Sequence, residues 1–323
     1  MRSQGFSGGR RGRRDSPSKR RAVLRGLAGG FVGLCVPSFA TETFAAGAVD
    51  VAPVAPNLTL LSGAGGNIVV LATEAGKVVV DSGAAALRDA VLATLDELPG
   101  GPVAALFNTH WHLDQVGANE ALGAAGATII AHAKTRSRLS TGYYVPTEDR
   151  YERPLAATGR PSKTFHTSDA TAVGGQPIEY GYLLEAHTDG DIYVHFRDLN
   201  VVAVGDAVSP LRDPAVDWFG GGWLGGRLDS LARLLALGDA RTRFVPSYGP
   251  VVGRAEVQAE HDMLLKLFDL MVVHVRLGES AADMLAAGVL NELGRTFADP
   301  GKFLYDVHKG FWAHHNTLTH DIV

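Results

Sequence analysis

The sequence predicts an α/β fold. Runs of β-branched residues of strand length alternate with stretches of helical apolar spacing, and Gly- and Pro-rich turns divide them. A second observation places chemistry in that frame. The segment Asn108-Thr109-His110-Trp111-His112-Leu113-Asp114-Gln115 follows directly on an apolar strand-like run. If extended geometry continues through it, His110, His112 and Asp114 point the same way, because side chains alternate along a strand. Two imidazoles and a carboxylate around one point are what a metal site on a rigid scaffold needs.

After an Ala/Val/Pro-rich linker over residues 46–57, β-branched runs at 58–61, 67–73 and 77–81 predict a strand meander. Residues 84–98 are spaced as a helix that stops at Pro99-Gly100-Gly101. A strand at 103–107, the histidine segment, a helical stretch at 117–122 and a strand at 128–131 follow. Residues 143–165 are polar, hold three prolines and read as a long insertion or lid, in which Tyr143 and Tyr144 can wall a substrate cleft. Strands at 178–185, 191–196, 201–204 and 243–246 flank a helix at 228–237. From about residue 255 the chain is helical, with an amphipathic stretch at 256–277 and two shorter helices beyond. No linker interrupts residues 58–323, which read as one domain.

Hydrophobic residues make up 46% and charged residues 20% of the 323, the balance of a soluble globular protein. Charge is unevenly spread. Nine of the 30 basic residues but only two of the 34 acidic ones precede Phe44, so the remainder carries 21 basic and 32 acidic side chains, a net of −11. A body that acidic argues against a nucleic-acid partner. The basic start, residues 1–45, has the layout of an export signal. Arg20-Arg21 followed by Val23-Leu24-Arg25 resembles a twin-arginine signal, a Gly-rich apolar stretch of about 14 residues comes next, and small residues suited to cleavage close it. The expectations are passage through the twin-arginine export machinery and a periplasmic or secreted mature protein. The apolar run is too short to span a bilayer comfortably. Cys35, the one cysteine, lies inside this segment, so the mature chain has no thiolate ligand.

Three later segments extend the histidine motif: Ala186-His187-Thr188-Asp189-Gly190-Asp191, Val204-Gly205-Asp206, and Val245-Pro246-Ser247-Tyr248-Gly249-Pro250. In this order and approximate spacing, with Asp81-Ser82-Gly83 upstream, the set resembles the metallo-β-lactamase superfamily. The resemblance implies a four-layer αββα sandwich with extra C-terminal helices. It implies one metal on His110, His112 and His187, with Asp206 bridging to a second metal held also by Asp114 and two further histidines. Gln115 and Tyr248 stand where those two histidines would be. A carboxamide is a weak zinc ligand and a phenol must lose a proton of pKa about 10, so one firmly bound zinc ion and a weak or empty second site are expected.

The implied chemistry is hydrolysis of an ester, thioester, lactone or amide in a small-molecule substrate. Asp114 would orient or deprotonate water, and Tyr248 would serve the leaving group. Trp218 and Trp223, in a Gly-rich segment, are expected to line the pocket, and one of the C-terminal histidines (His308, His314, His315, His320) can supply a missing ligand. Two alternatives stay open. His112, His187 and Asp206 can form a two-histidine, one-carboxylate face for iron, as in a persulfide dioxygenase on this fold. A periplasmic metal- or ligand-binding protein without turnover is the other.

Overall fold

A computed structural model describes residues 49–145 and 150–318; the export-signal segment and His320 lie outside the described residues. The first sheet has seven strands in the order β1-β2-β3-β4-β5-β6-β9: β1 (Asp50–Ala55), β2 (Leu58–Ala64), β3 (Gly66–Thr73), β4 (Gly76–Val80), β5 (Val103–Phe107), β6 (Thr128–His132) and β9 (Lys163–Phe165). A two-stranded ribbon pairs β7 (Tyr143–Val145) with β8 (Arg150–Glu152). The second sheet runs β10-β11-β12-β13-β14: β10 (Ser168–Val173), β11 (Gln176–Tyr182), β12 (Ile192–Phe196), β13 (Val201–Gly205) and β14 (Arg243–Pro246).

Strand alternation explains the layers. In β4, Val78 and Val80 enter a core shared with Val194, Phe196 and Val201 of the other sheet, while Val79 faces outward. Val79 meets Val91 and Leu95 of α1 (Arg88–Glu97) and Leu122 of α2 (Asn119–Ala124). In β13, Val201 and Ala203 join the inter-sheet core, whereas Val202 and Val204 pack against the opposite helices. Those helices are α4 (Leu224–Leu235), α5 (Arg254–Arg276), α6 (Ala281–Ala286) and α7 (Pro300–Leu318); α3 (Ala133–Ser140) follows β6. Strands buried on both faces carry unbroken apolar runs, and the result is helix, sheet, sheet, helix. No helix among the described residues is long and apolar enough to cross a membrane.

The structure corrects three expectations. Residues 50–55 are not linker but an antiparallel edge strand, Asp50 opposite Ser62 and Ala52 opposite Leu60. Pro53 hides this from sequence, yet an edge strand tolerates proline because one side of it needs no partner. The 143–165 insertion ends in β9, which extends the first sheet parallel to β6. β10 was invisible because its residues, Ser168-Asp169-Ala170-Thr171-Ala172-Val173, are mostly exposed and carry no apolar alternation. The two shorter helices expected after residue 277 are present as α6 and α7, of 6 and 19 residues.

Candidate metal centre

β5 stops at Phe107, and residues 108–115 form a turn, so strand alternation is not what aligns the histidines. The turn is pinned instead. Asp81, at the end of β4 with a left-handed φ of 63°, accepts from the Thr109 amide and from Thr109 Oγ1, both at 2.7 Å. Asn108 and Asn119 exchange side-chain amide bonds of 2.9 and 3.1 Å, and the Gln115 amide closes on the His112 carbonyl at 3.0 Å. On the second sheet, Asp191 accepts from the His187 and Thr188 amides at 2.6 and 2.7 Å and so fixes the loop that presents His187. Burial pushes the Asp191 carboxyl up to about 7 against these donors.

His110, His112, His187 and Asp206 thereby come together, one ligand atom from each, all within 4.8 Å of one another. The inward atoms are His110 Nε2, His112 Nδ1 and His187 Nε2, the first and last 3.6 and 3.4 Å from Asp206 Oδ2. Each ring is held from behind. His110 Nδ1 meets Thr109 Oγ1 at 3.1 Å, His112 Nε2 donates to Asp217 Oδ2 at 3.0 Å, and His187 Nδ1 donates to the Ala215 carbonyl at 3.0 Å. Such outer partners fix tautomer and ring orientation in metal sites. The inward nitrogen of His110 is fully buried and has no hydrogen-bond partner, a position that costs free energy unless a cation takes its lone pair. The donor set suits a metal ion.

Electrostatics agree with that geometry. Burial disfavours charge on His112, but the hydrogen bond and charge of Asp217 prevail and raise it to about 9. Burial and the neighbouring His112 hold His110 and His187 well below the ordinary histidine range. Burial and the charge of Asp114 push Asp206 up to about 6. Asp217, despite its burial, is held at about 2 by His112.

Asp114 stands outside the four-residue cluster. Its Oδ2 accepts a short hydrogen bond from the Tyr248 phenol and one of 3.2 Å from Gln115 Nε2. Gln115 and Tyr248, the two positions where the resemblance leads one to expect histidines, therefore both close on the Asp114 carboxylate. Burial and the Asp114 charge raise the Tyr248 pKa far above the usual phenol, so it stays protonated. The Arg212 guanidinium stacks 3.4 Å from the Tyr248 ring centre. Gln115 is fully buried against Gly66, where a Cβ would approach its side chain to 2.4 Å. A cleft of about 380 Å³ runs beside this group, bounded by Gly65, Asn67, Leu211, Arg212 and Tyr248.

Among the predicted pocket aromatics, Tyr143 stands near the site: it packs edge-on against Trp111, which packs on His112. Tyr144 is 47% exposed. Trp218 hydrogen-bonds Asp306 of α7 and so faces the helical layer. Trp223 is not a pocket residue. It stacks on His314 at 3.6 Å and contacts Phe268 and Phe311, inside the α5/α7 packing. An aromatic beside a glycine run gives no sign of which wall it joins; downstream helices decided it. His314 is taken up by that stack, and His308 by the Glu279 carbonyl and Trp312, so neither joins the cluster.

Sequence reasoning missed Asp217. Its signal was the adjoining Gly220-Gly221-Gly222. A Cβ on Gly220 would sit 2.2 Å from the Asp217 carboxylate, and one on Gly222 only 2.0 Å from the His187 carbonyl. These glycines let the loop close at once on one cluster residue, His187, and on the acid that orients another, His112.

Three imidazoles and a carboxylate, gathered where two packed sheets meet, form a candidate metal site on an αββα architecture. The sequence pattern of the metallo-β-lactamase superfamily matches residues 61–255, and the chain belongs to that superfamily. Its fold is similar to a metallo-β-lactamase from Pontibacter korlensis (20% identity, TM-score 0.54, 67% of this chain and 99% of that one). It is also similar to the stereoselective inverting sec-alkylsulfatase Pisa1 from Pseudomonas sp. (15% identity, TM-score 0.61), where 81% of this chain spans half of that one. The DIM-1 metallo-β-lactamase aligns over 68% of this chain and 97% of its own, at 16% identity and a TM-score of 0.55. A sequence comparison with curated proteins gives no match.

Proposed function

We propose that this protein is an exported, metal-dependent hydrolase that uses one firmly held zinc ion to cleave an ester, thioester, lactone or amide bond in a small molecule. The observation that carries the reading is the buried His110 nitrogen without a hydrogen bond, gathered with Asp206 and with two imidazoles whose outer nitrogens are already engaged. His110, His112 and His187 would hold the ion, with Asp206 beside them. When bound, zinc supplies Lewis-acid polarisation and lowers the pKa of water to about 7.

The remaining work falls to the chain. Asp114, one turn from His112, orients the attacking water and takes its proton. Tyr248 is kept protonated, and once Asp114 has taken the proton of water the phenol O–H is released to turn toward developing negative charge. The proton gained by Asp114 is then the one that reaches the leaving group. Gln115 holds Asp114 in place by its 3.2 Å bond. The loss of two imidazoles at the second site, where Gln115 and Tyr248 stand, and the net charge of −11 after the first 43 residues disfavour a phosphodiester in nucleic acid. The cleft beside Tyr248 has the size for a small substrate. Residues 1–45 would route the chain through twin-arginine export to the periplasm or outside, before cleavage.

Elemental analysis of protein purified without added metal, with hydrolysis assays on an ester, lactone, thioester and β-lactam panel, tests the reading. One zinc per chain and turnover on the panel are expected, with Tyr248→Phe losing turnover and keeping metal. A stable two-metal stoichiometry, or metal loss in Tyr248→Phe, overturns it. Iron with oxygen uptake on a persulfide would make the protein a dioxygenase instead, and metal without turnover would make it a binding protein.

A further inference from the structure

A fully buried guanidinium lies behind the cluster. Arg227, in the first turn of α4, is 0% exposed, and its fork reaches four acceptors. Nη1 donates to the Asp206 carbonyl at 2.8 Å and to the Ala215 carbonyl at 2.9 Å; Nη2 donates to Ser209 Oγ at 2.9 Å and to Glu260 Oε1 at 2.8 Å. The other Glu260 oxygen accepts from the Ser209 amide at 2.8 Å. The Ala215 carbonyl is the same atom that receives the outer N–H of His187. One side chain thus grips the backbone of one ligand residue and the acceptor that orients another.

A buried ion pair is weak evidence of stability, since apolar residues of similar volume often serve as well. What an apolar pair cannot do is donate to two specific carbonyls. A lysine can neutralise Glu260, but its point charge does not form the planar fork that spans these acceptors. Glu260 also lies in α5 beyond residue 255, where the superfamily match ends. The C-terminal helical layer therefore contributes directly to the support of the cluster.

We propose that Arg227 and Glu260 form a positioning pair that sets metal affinity by fixing Asp206 and His187. The inference rests on the metal reading above. Outer supports of metal ligands are worth about 10–100-fold in affinity.

The test is zinc affinity by competition with a chromogenic chelator, together with the visible spectrum of the cobalt-loaded protein. Arg227→Lys keeps the charge pair and loses the fork, so it is expected to fold with a lowered melting temperature as buried acceptors lose donors, bind zinc at least tenfold more weakly and give a shifted cobalt spectrum. The Arg227→Met/Glu260→Met double variant should show the same weakening. Wild-type affinity and spectrum in either folded variant would overturn the proposal. If one variant does not fold, the other decides. Absence of any metal binding in the wild-type protein would instead defeat the hydrolase reading, a result distinct from variants that match the wild type.

Discussion

Asp217→Asn tests how the site chooses its metal-binding state. The inward nitrogens of His112 and His187 are 3.1 Å apart, the spacing of a hydrogen bond that a protonated His112 donates. With a pKa near 9, that proton must leave before His112 can ligate, so affinity falls as pH drops below 9, by about tenfold per unit. At pH 7 the competition weakens binding about a hundredfold, and zinc loading releases about one proton. Asparagine removes the carboxylate that raises His112; at an ordinary pKa of about 6.5 little competition remains at pH 7. The same change loosens the ring and costs about 10–100-fold in affinity. At pH 9.5 the variant should therefore bind zinc about 10–100-fold more weakly than wild type, and near pH 7 the two should converge. Chelator competition across that range, with calorimetry in buffers of different ionisation enthalpy, measures both quantities. A wild-type to variant ratio that is constant with pH, or no proton release from the wild type at pH 7, would refute the reasoning.

Other outcomes follow from the same geometry. Gln115→His combined with Tyr248→His restores imidazoles on both sides of Asp114, and elemental analysis should show metal content rising from one toward two per chain. Gly222→Ala places a methyl 2.0 Å from the His187 carbonyl, so metal content and melting temperature should both fall, whereas Gly101→Ala, with open space around it, should spare the metal. Trp223→Ala should lower the melting temperature by opening the contact with Phe268, Phe311 and His314 while leaving KM unchanged; a raised KM with intact stability would return Trp223 to the pocket wall.

The four-residue cluster was legible in the sequence because histidines and a carboxylate in that order have few uses other than a metal. Its geometry was not. Alternation along a strand paired His110 with His112 for a wrong reason and wrongly added Asp114, since the turn that aligns the two histidines is held by side chains of Asp81 and Asn119 outside the segment. Central strands such as Val201-Val202-Ala203-Val204 announced themselves through apolar runs buried on both faces. β1 and β10 did not, because an exposed edge needs no such pattern. Asp217 and Arg227 were hidden for a different reason. An acid in a glycine loop and an arginine in a helix look like surface residues until the fold buries them.

His110 and His112 follow a strand of the seven-stranded sheet, whereas His187 and Asp206 follow strands of the five-stranded one. Neither sheet alone carries a sufficient donor set. An ion seated among them would act as a rivet across the seam, and its grip would register any sliding of one sheet on the other. Substitutions deep in that seam, at Ile130 or Tyr180, would then alter metal affinity without touching a ligand. Hydrogen exchange in β4 and β13 would slow together on loading, because the rivet opposes the shear that exposes both.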